Sequence, residues 1–326
     1  MSASAANRYA RQMVLPEIGA EGQARIRAAS VLVIGAGGLG CAVLPYLCAA
    51  GIGRLVIVDH DRVEEANLHR QPLYRTADIG RFKVEATGDA LRALNPDVDV
   101  RALRERLTPA NAPALIAAAD VVIDAADMFA VTYTLSDECA RVKKPLITAS
   151  VLGLSGYAGV FCRDAPSYRA VFPDIPAQVG SCASTGVLGT AVGVMGTLQA
   201  HLALSFILGL EPAVAGRLVT LDFRTLRIGG FSFAAASEPA EHVPKFIASE
   251  DVTAADLTVD LRGVDEAPTP AFASSLRLAV DDIERIAARP AQRVVLCCRS
   301  GVRAWRAATK LRGRGLENIA LIALGD

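Results

Sequence analysis

Residues 31–35 read VLVIG, an unbroken apolar run that stops at a glycine. The period then changes. LGCAVLPYLCAAG, 39–51, spaces its apolar positions for a helix that ends at Gly51. RLVIVD, 54–59, is a second short β-branched run, closed by an acid. Strand, turn, helix and strand within about thirty residues predict a βαβ unit. VDVRAL near 98–103, DVVIDAAD at 120–127 and KPLITAS at 144–150 read as further strands, separated by helical stretches. That alternation predicts an α/β fold with a doubly wound, mostly parallel, Rossmann-like sheet.

The texture changes from about 151. VLGLSGYAGVF has the look of β-structure with glycine turns, and RLVTLDFRTLRIGGF, 217–231, reads as paired strands that extend the sheet in antiparallel fashion. Between them, 187–210 carries no Asp, Glu, Lys or Arg but does hold Gln199, His201 and several glycines. It is read as a buried core helix rather than a membrane span. Segment 234–250 has no sustained period and is expected to be a linker. Beyond it, LTVDLR, a helix near 280–289, RVVLCCRSG and a final helix predict a second, small α/β unit. The expected organisation is a first domain over 1–233, the linker, and a second domain over 251–326.

Composition narrows the function. The 326 residues carry 34 basic and 34 acidic side chains. Such a balance excludes a sequence-blind nucleic-acid binder, which needs a basic surface to displace counterions. With 52% apolar residues the chain is no disordered segment. Seven cysteines, an odd number with no CxxC pair, predict neither a disulfide framework nor a thiolate zinc site. Reduced cysteines and an N-terminus without an apolar h-region predict a cytoplasmic protein.

The chemistry starts at Gly35-Ala36-Gly37-Gly38-Leu39-Gly40, a GxGxxG loop between strand and helix. Gly35 permits the tight turn, Gly37 and Gly38 let phosphates approach the backbone, and Gly40 lets helix and strand pack closely. Asp59 closes the second strand, where an acid accepts from ribose hydroxyls. The loop by itself fits NAD as well as ATP. The polar cluster that follows, Asp61, Asn67, His69, Arg70, Gln71 and Lys83, favours a nucleoside triphosphate, whose phosphates need cationic donors.

RYARQMVL (8–15), GAGGLGC (35–41), VDHDRVEEANLHRQ (58–71), GRFKVEA (80–86) and DAAD (124–127) resemble the MoeB/ThiF/HesA family, relatives of the ubiquitin-activating enzymes, over about residues 7–231. The resemblance implies ATP- and Mg2+-dependent adenylation of the C-terminal glycine carboxylate of a ubiquitin-like sulfur-carrier protein ending in Gly-Gly. It implies that Asp59 holds the ribose and that Asn67, Arg70 and Lys83 line the phosphates. It also implies that Asp127 coordinates magnesium or orients the attack, and that Arg11 reaches into the partner's site of a homodimer. Cys182 aligns with the family's crossover-loop cysteine, which links transiently to the carrier. Two departures stand out. Met128 follows Asp127 where the family has Asn, and Ser167 and Ala170 occupy the positions of a zinc-binding CxxC pair, so no zinc is expected.

Cys298-Arg299-Ser300-Gly301-Val302-Arg303 resembles the persulfide loop of rhodanese sulfurtransferases. A cysteine between a strand and a helix N-terminus meets backbone N–H groups that favour its thiolate. Counted from Cys297, the same stretch matches the seven-residue loop of cysteine phosphatases. The string CRSGVR favours Cys298 as the nucleophile, with Cys297 in the core. The second domain is shorter than is usual for rhodaneses. The expected function is adenylation of a carrier carboxylate followed by sulfur transfer from Cys298, with a cysteine desulfurase or thiosulfate as donor. The alternatives are an adenylating enzyme for another carboxylate, such as a natural-product peptide, and a non-catalytic partner-binding homologue. No nucleic-acid or membrane partner is expected.

Overall fold

Two sheets organise the chain in the computed structural model, which describes residues 8–175, 186–239, 243–289 and 291–325. The first has eight strands in the order β3-β2-β1-β4-β5-β6-β7-β8. Its parallel half comprises β1 (Ser30–Ile34), β2 (Arg54–Val58), β3 (Asp99–Leu103), β4 (Val121–Asp124) and β5 (Leu146–Leu152). β6 (Ser155–Phe161), β7 (Arg217–Asp222) and β8 (Arg227–Ser232) continue it antiparallel. The two textures in the sequence have one physical cause. Val121 to Asp124 are buried on both faces because helices cover both sides of a parallel strand, whereas every residue of β8 is exposed.

The N-terminal segment forms α1 (Ala10–Met13) and α2 (Gly19–Ala28). α3 (Gly38–Ala50) follows β1, and α4 (Lys83–Leu94) leads to β3. α5 (Ala112–Ala117) and α6 (Phe129–Val142) flank β4. A short turn, α7 (Tyr168–Val171), follows β6. α8 (Gly189–Leu208) is the apolar helix of the sequence, long and apolar enough by length and composition alone to cross a membrane. Here it packs on α3, β5 and β6. Gly196 makes the close crossing possible: a Cβ there would lie 2.6 Å from the Leu39 carbonyl oxygen on α3.

The second sheet has five strands, all parallel, ordered β11-β10-β12-β13-β9. They are β9 (Lys245–Phe246), β10 (Leu257–Asp260), β11 (Leu276–Arg277), β12 (Val294–Cys298) and β13 (Ile319–Ala323). Two expectations need correcting. The linker does not extend to 250, because Lys245 and Phe246 pair with Ala320 and Leu321 and form an edge of this sheet. A two-residue strand is too short to show a period. The helix expected near 280–289 is a 3-10 turn, Val280–Arg285, followed by extended chain at Ile286. Val280 and Ile283 stand three apart and both pack inward, which suits three residues per turn. α9 (Val302–Arg312) covers the sheet.

One apolar cluster runs through both units. Leu146, Phe161, Tyr133 and Tyr168 from the first join Phe246, Leu296, Trp305 and Leu321 from the second.

Candidate active site

β1 ends at Ile34, and Gly35, at φ 100°, turns the chain into the N-terminus of α3. A Cβ on Gly35 would sit 2.7 Å from the Ala125 carbonyl oxygen, and one on Gly40 would sit 2.2 Å from that of Gly35. Only glycine allows loop, helix and neighbouring strand to come this close. At Gly37 the nearest atom to such a Cβ is the Gln71 side-chain nitrogen at 3.8 Å, so the loop is open on the side where a phosphate would approach.

Asp59 braces the loop. Its Oδ2 accepts from the Ala36 N–H at 2.7 Å and its Oδ1 from the Asp61 N–H at 2.7 Å. Tyr74 braces it from the other side, donating to the Ala36 carbonyl at 2.6 Å and meeting Thr87 Oγ1 at 3.0 Å. Burial holds the Tyr74 phenol far above its ordinary pKa, so it stays a donor.

The cationic residues lie on the chain between β2 and α4, already engaged with neighbours. Lys83 Nζ is 2.8 Å from Asp61 Oδ2. Arg70 donates to Asn67 Oδ1 at 2.8 Å, just past the 3-10 turn Glu65–Asn67. Gln71 is buried and its Oε1 has no partner, leaving an acceptor for a ligand's donor. Asp127 follows β4, at the carboxyl edge of the parallel strands, and is exposed into the cavity. Beneath it, Asp124 is completely buried and pushed up to about 6, first by desolvation. It accepts from the Ala126 N–H and from Thr148 Oγ1.

The glycine loop and the polar cluster line one cavity of about 1280 Å³. Gly35, Gly37, Gly38, Asp59, Asp61, Asn67, Arg70, Lys83 and Asp127 all face it, so the sequence-derived cluster converges. Gly40 sits behind, as its packing role requires. Arg11 is exposed on α1 and does not line the cavity of its own chain. Cys182 lies outside the described residues. From the glycine loop the cavity continues across the antiparallel strands, past Tyr157, Thr220, Asp222, Gly229 and Gly230. Sequence reasoning missed Arg106, which lines the cavity and pairs with His60 Nε2 at 2.9 Å. It follows β3 in irregular chain, where no period singles it out. Gln71 stood in the polar cluster with no stated role; its burial supplies one.

The residues present suit a nucleoside triphosphate and a hard cation. The open glycine loop and the helix N-terminus offer N–H groups to phosphates, and Asp127 offers carboxylate oxygen, the donor Mg2+ prefers. The 166–170 segment does not suit zinc. Ser167 caps α7 and gives both its N–H and its hydroxyl to Glu238 at 2.7 and 2.6 Å. Hydrogen bonds hold this segment in place.

The Cys298 loop is a second cradle. The buried Cys298 Sγ accepts from the N–H groups of Gly301 at 3.1 Å and Ala304 at 3.4 Å. Gly301, at φ 84°, turns the loop into α9. Arg303 is held by Glu266 and by the Leu261 carbonyl. Arg299 and Ser300 are exposed, and Val302 is half-buried at the start of the helix. Burial pushes the neighbouring Cys297 thiol up to about 12, so it is inert.

Comparison with known proteins agrees with this geometry. Residues 9–244 match the ThiF family. The adenylyltransferase and sulfurtransferase MOCS3 of Anopheles gambiae is 44% identical over 229 residues, 68% of this chain and 52% of that protein. The sulfur carrier protein adenylyltransferase of Thermus thermophilus is 44% identical over 224 residues, 66% of this chain and 83% of that one. The chain spans about half the length of the MOCS3 relatives it matches. The crystal structure of Escherichia coli MccB with ATP superposes with a TM-score of 0.62 at 22% identity, over 70% of this chain and 72% of that one. At that identity the likeness is one of fold.

Proposed function

The chain belongs to the ThiF family, and from that premise we propose that it adenylates the C-terminal glycine carboxylate of a ubiquitin-like sulfur-carrier protein and then transfers sulfur to it from Cys298. One observation carries the first step. A single cavity joins the glycine loop and its polar cluster to the face of the antiparallel strands. Its volume exceeds the roughly 300–1,000 Å³ of ordinary small-molecule sites, which leaves room for a second reactant beside a nucleotide. Where the strands carry Gly229 and Gly230 the wall is low, which suits an extended Gly-Gly tail.

In this reading the carboxylate attacks the α-phosphorus of ATP and pyrophosphate leaves. Arg70, Asn67 and Lys83 offset the charge that gathers on phosphate oxygens. Lys83 would leave Asp61 for the triphosphate. Asp127 would hold Mg2+, which supplies positive charge against the phosphates. Exposed Val14 and Leu15, next to Arg11, support a homodimer that brings Arg11 to the partner's site. The cytoplasm is its expected compartment.

The sheet order of the second unit and the Cys298 cradle support a rhodanese-like sulfur carrier. The terminal sulfur of a Cys298 persulfide attacks the acyl carbon and AMP leaves, giving an acyl disulfide. A thiol then attacks the Cys298 sulfur, the S–S bond breaks, and the carrier leaves as thiocarboxylate. Cys182 is a candidate for this thiol or for a transient carrier link. Cys298 is left in a disulfide with that thiol. A second thiol breaks this disulfide and frees the Cys298 thiolate, which would then be reloaded by a cysteine desulfurase or by thiosulfate, with sulfite leaving.

The test is to incubate the protein with ATP, Mg2+, thiosulfate, a reducing thiol and a Gly-Gly-ended carrier, and to weigh the carrier. Exchange of one carboxylate oxygen for sulfur is expected, and Cys298→Ala should stop at the adenylate. Sulfur transfer undiminished in that variant would overturn the second step.

A further inference from the structure

The cradle around Cys298 is not remote from the nucleotide cavity. Gly301 lies where the two units meet: a Cβ there would lie 2.6 Å from the Phe246 ring of its own sheet and 3.3 Å from Ala130 Cβ of the first unit. Ala130 and Phe246 both line the cavity, and so does Ala323, the β13 residue in register with Cys298. The Leu324 N–H donates to the Cys298 carbonyl at 2.9 Å. Cys298 therefore sits one layer of side chains behind the cavity wall. Ala130 belongs to α6, the helix that begins two residues after Asp127.

What sets this distance is a joint built around Trp305 on α9, the single tryptophan of the chain. Its indole lies 5.1 Å from the Tyr133 ring at 30°, and the Arg169 guanidinium lies 5.4 Å from its centroid. Arg169 also lies 4.5 Å from the Tyr133 ring and is tied to Asp137 at 2.7 and 2.8 Å. Tyr133 is fixed in turn by its bond to the Phe172 carbonyl at 2.8 Å. Ring and cation contacts of this kind add to the burial of the indole. The joint lies beside the 166–170 segment, where Arg169 takes the place of a residue between the missing zinc cysteines.

Resting on the proposed sulfur-transfer reading, we propose that Trp305 is a positioning residue that clamps the Cys298 loop to the nucleotide cavity of its own chain, so that sulfur passes within one chain. Trp305 does not line the nucleotide cavity. It sets where the cradle stands relative to α6. Opening the Phe246 layer then suffices to connect the two sites.

The test compares Trp305→Ala with Trp305→Phe in the full chain, on three readouts. Thiosulfate–cyanide turnover reads the cradle alone, pyrophosphate exchange reads adenylation alone, and single-turnover sulfur delivery to adenylated carrier reads their coupling. Trp305→Ala should slow delivery by about tenfold or more while leaving the other two within about twofold, because a tethered donor loses its high effective concentration when misplaced. Trp305→Phe should restore delivery. Unchanged delivery in Trp305→Ala, or cradle turnover falling in step with delivery, would overturn the proposal. So would wild-type delivery rates from a mixture of Cys298→Ala and Lys83→Ala chains, which would show transfer between chains. If wild-type protein shows no thiosulfate–cyanide turnover, it is the sulfur-transfer reading that fails. Acrylamide quenching of Trp305 then tests the joint alone: a shielded indole supports the clamp and an accessible one overturns it.

Discussion

Lys83 Nζ rests 2.8 Å from Asp61 Oδ2, with the lysine buried and the aspartate half-exposed at the cavity rim. In the proposed reading the pair holds a phosphate-binding cation in place before any phosphate arrives. Removing either partner should have distinct effects. Lys83→Ala should lower the maximal rate of pyrophosphate exchange by about 10²–10³-fold, the usual cost of one transition-state donor. Asp61→Asn should change mainly the KM for ATP, because Asp61 holds the ground-state position of Lys83. Steady-state exchange kinetics on the two variants separate these outcomes.

Tyr74 supports the glycine loop through the Ala36 carbonyl and Thr87. Tyr74→Phe leaves buried partners unsatisfied at a cost of about 1–3 kcal/mol. Thermal melting should show a lower Tm, and ATP should bind more weakly.

Asp124 gives a pH signature. Its folded pKa of about 6 lies above the ordinary 3.8 because burial disfavours the carboxylate. The folded state therefore binds the proton more tightly than the unfolded chain. The resulting stabilisation is fully present below about pH 3.8 and is lost as pH rises through about 6, on the order of 2–3 kcal/mol across that window. Asp124→Asn cannot titrate. Its Tm relative to the wild type should be more favourable at pH 7 than at pH 4. Equal differences at both pH values would contradict the assignment.

The parallel half of the first sheet could be read from residues alone. VLVIG and RLVIVD are apolar on both faces because helices cover both, and the glycines mark where the chain turns to meet a ligand. The cavity-lining residues between Asp59 and Lys83 were equally visible, because charged and amide side chains crowd that stretch. Other features depended on tertiary context. Lys245–Phe246 became a strand because β13 offers it an edge. Arg106 gained a place in the cavity wall from the fold of irregular chain. Trp305 and Tyr133 are 172 positions apart in the numbering of the sequence and meet only when the two sheets pack.

Arg303 and Glu266 make a second testable relationship. The Arg303 guanidinium beside it lowers the Glu266 carboxyl from its ordinary value. Glu266→Gln should leave Arg303 held only by the Leu261 carbonyl and should shift the KM for thiosulfate, a dianion, more than the turnover number. A fall confined to turnover would instead place Glu266 in the chemistry of the cradle.

In the proposed function the cavity adenylates a carrier carboxylate. Radiolabelled pyrophosphate exchange into ATP, with Mg2+, measured with and without a Gly-Gly-ended ubiquitin-like carrier, tests it most directly. Exchange that requires the carrier and disappears when its terminal glycine is removed is the expected result. Exchange that proceeds equally without the carrier, or none with any such carrier while ATP binds, would contradict it.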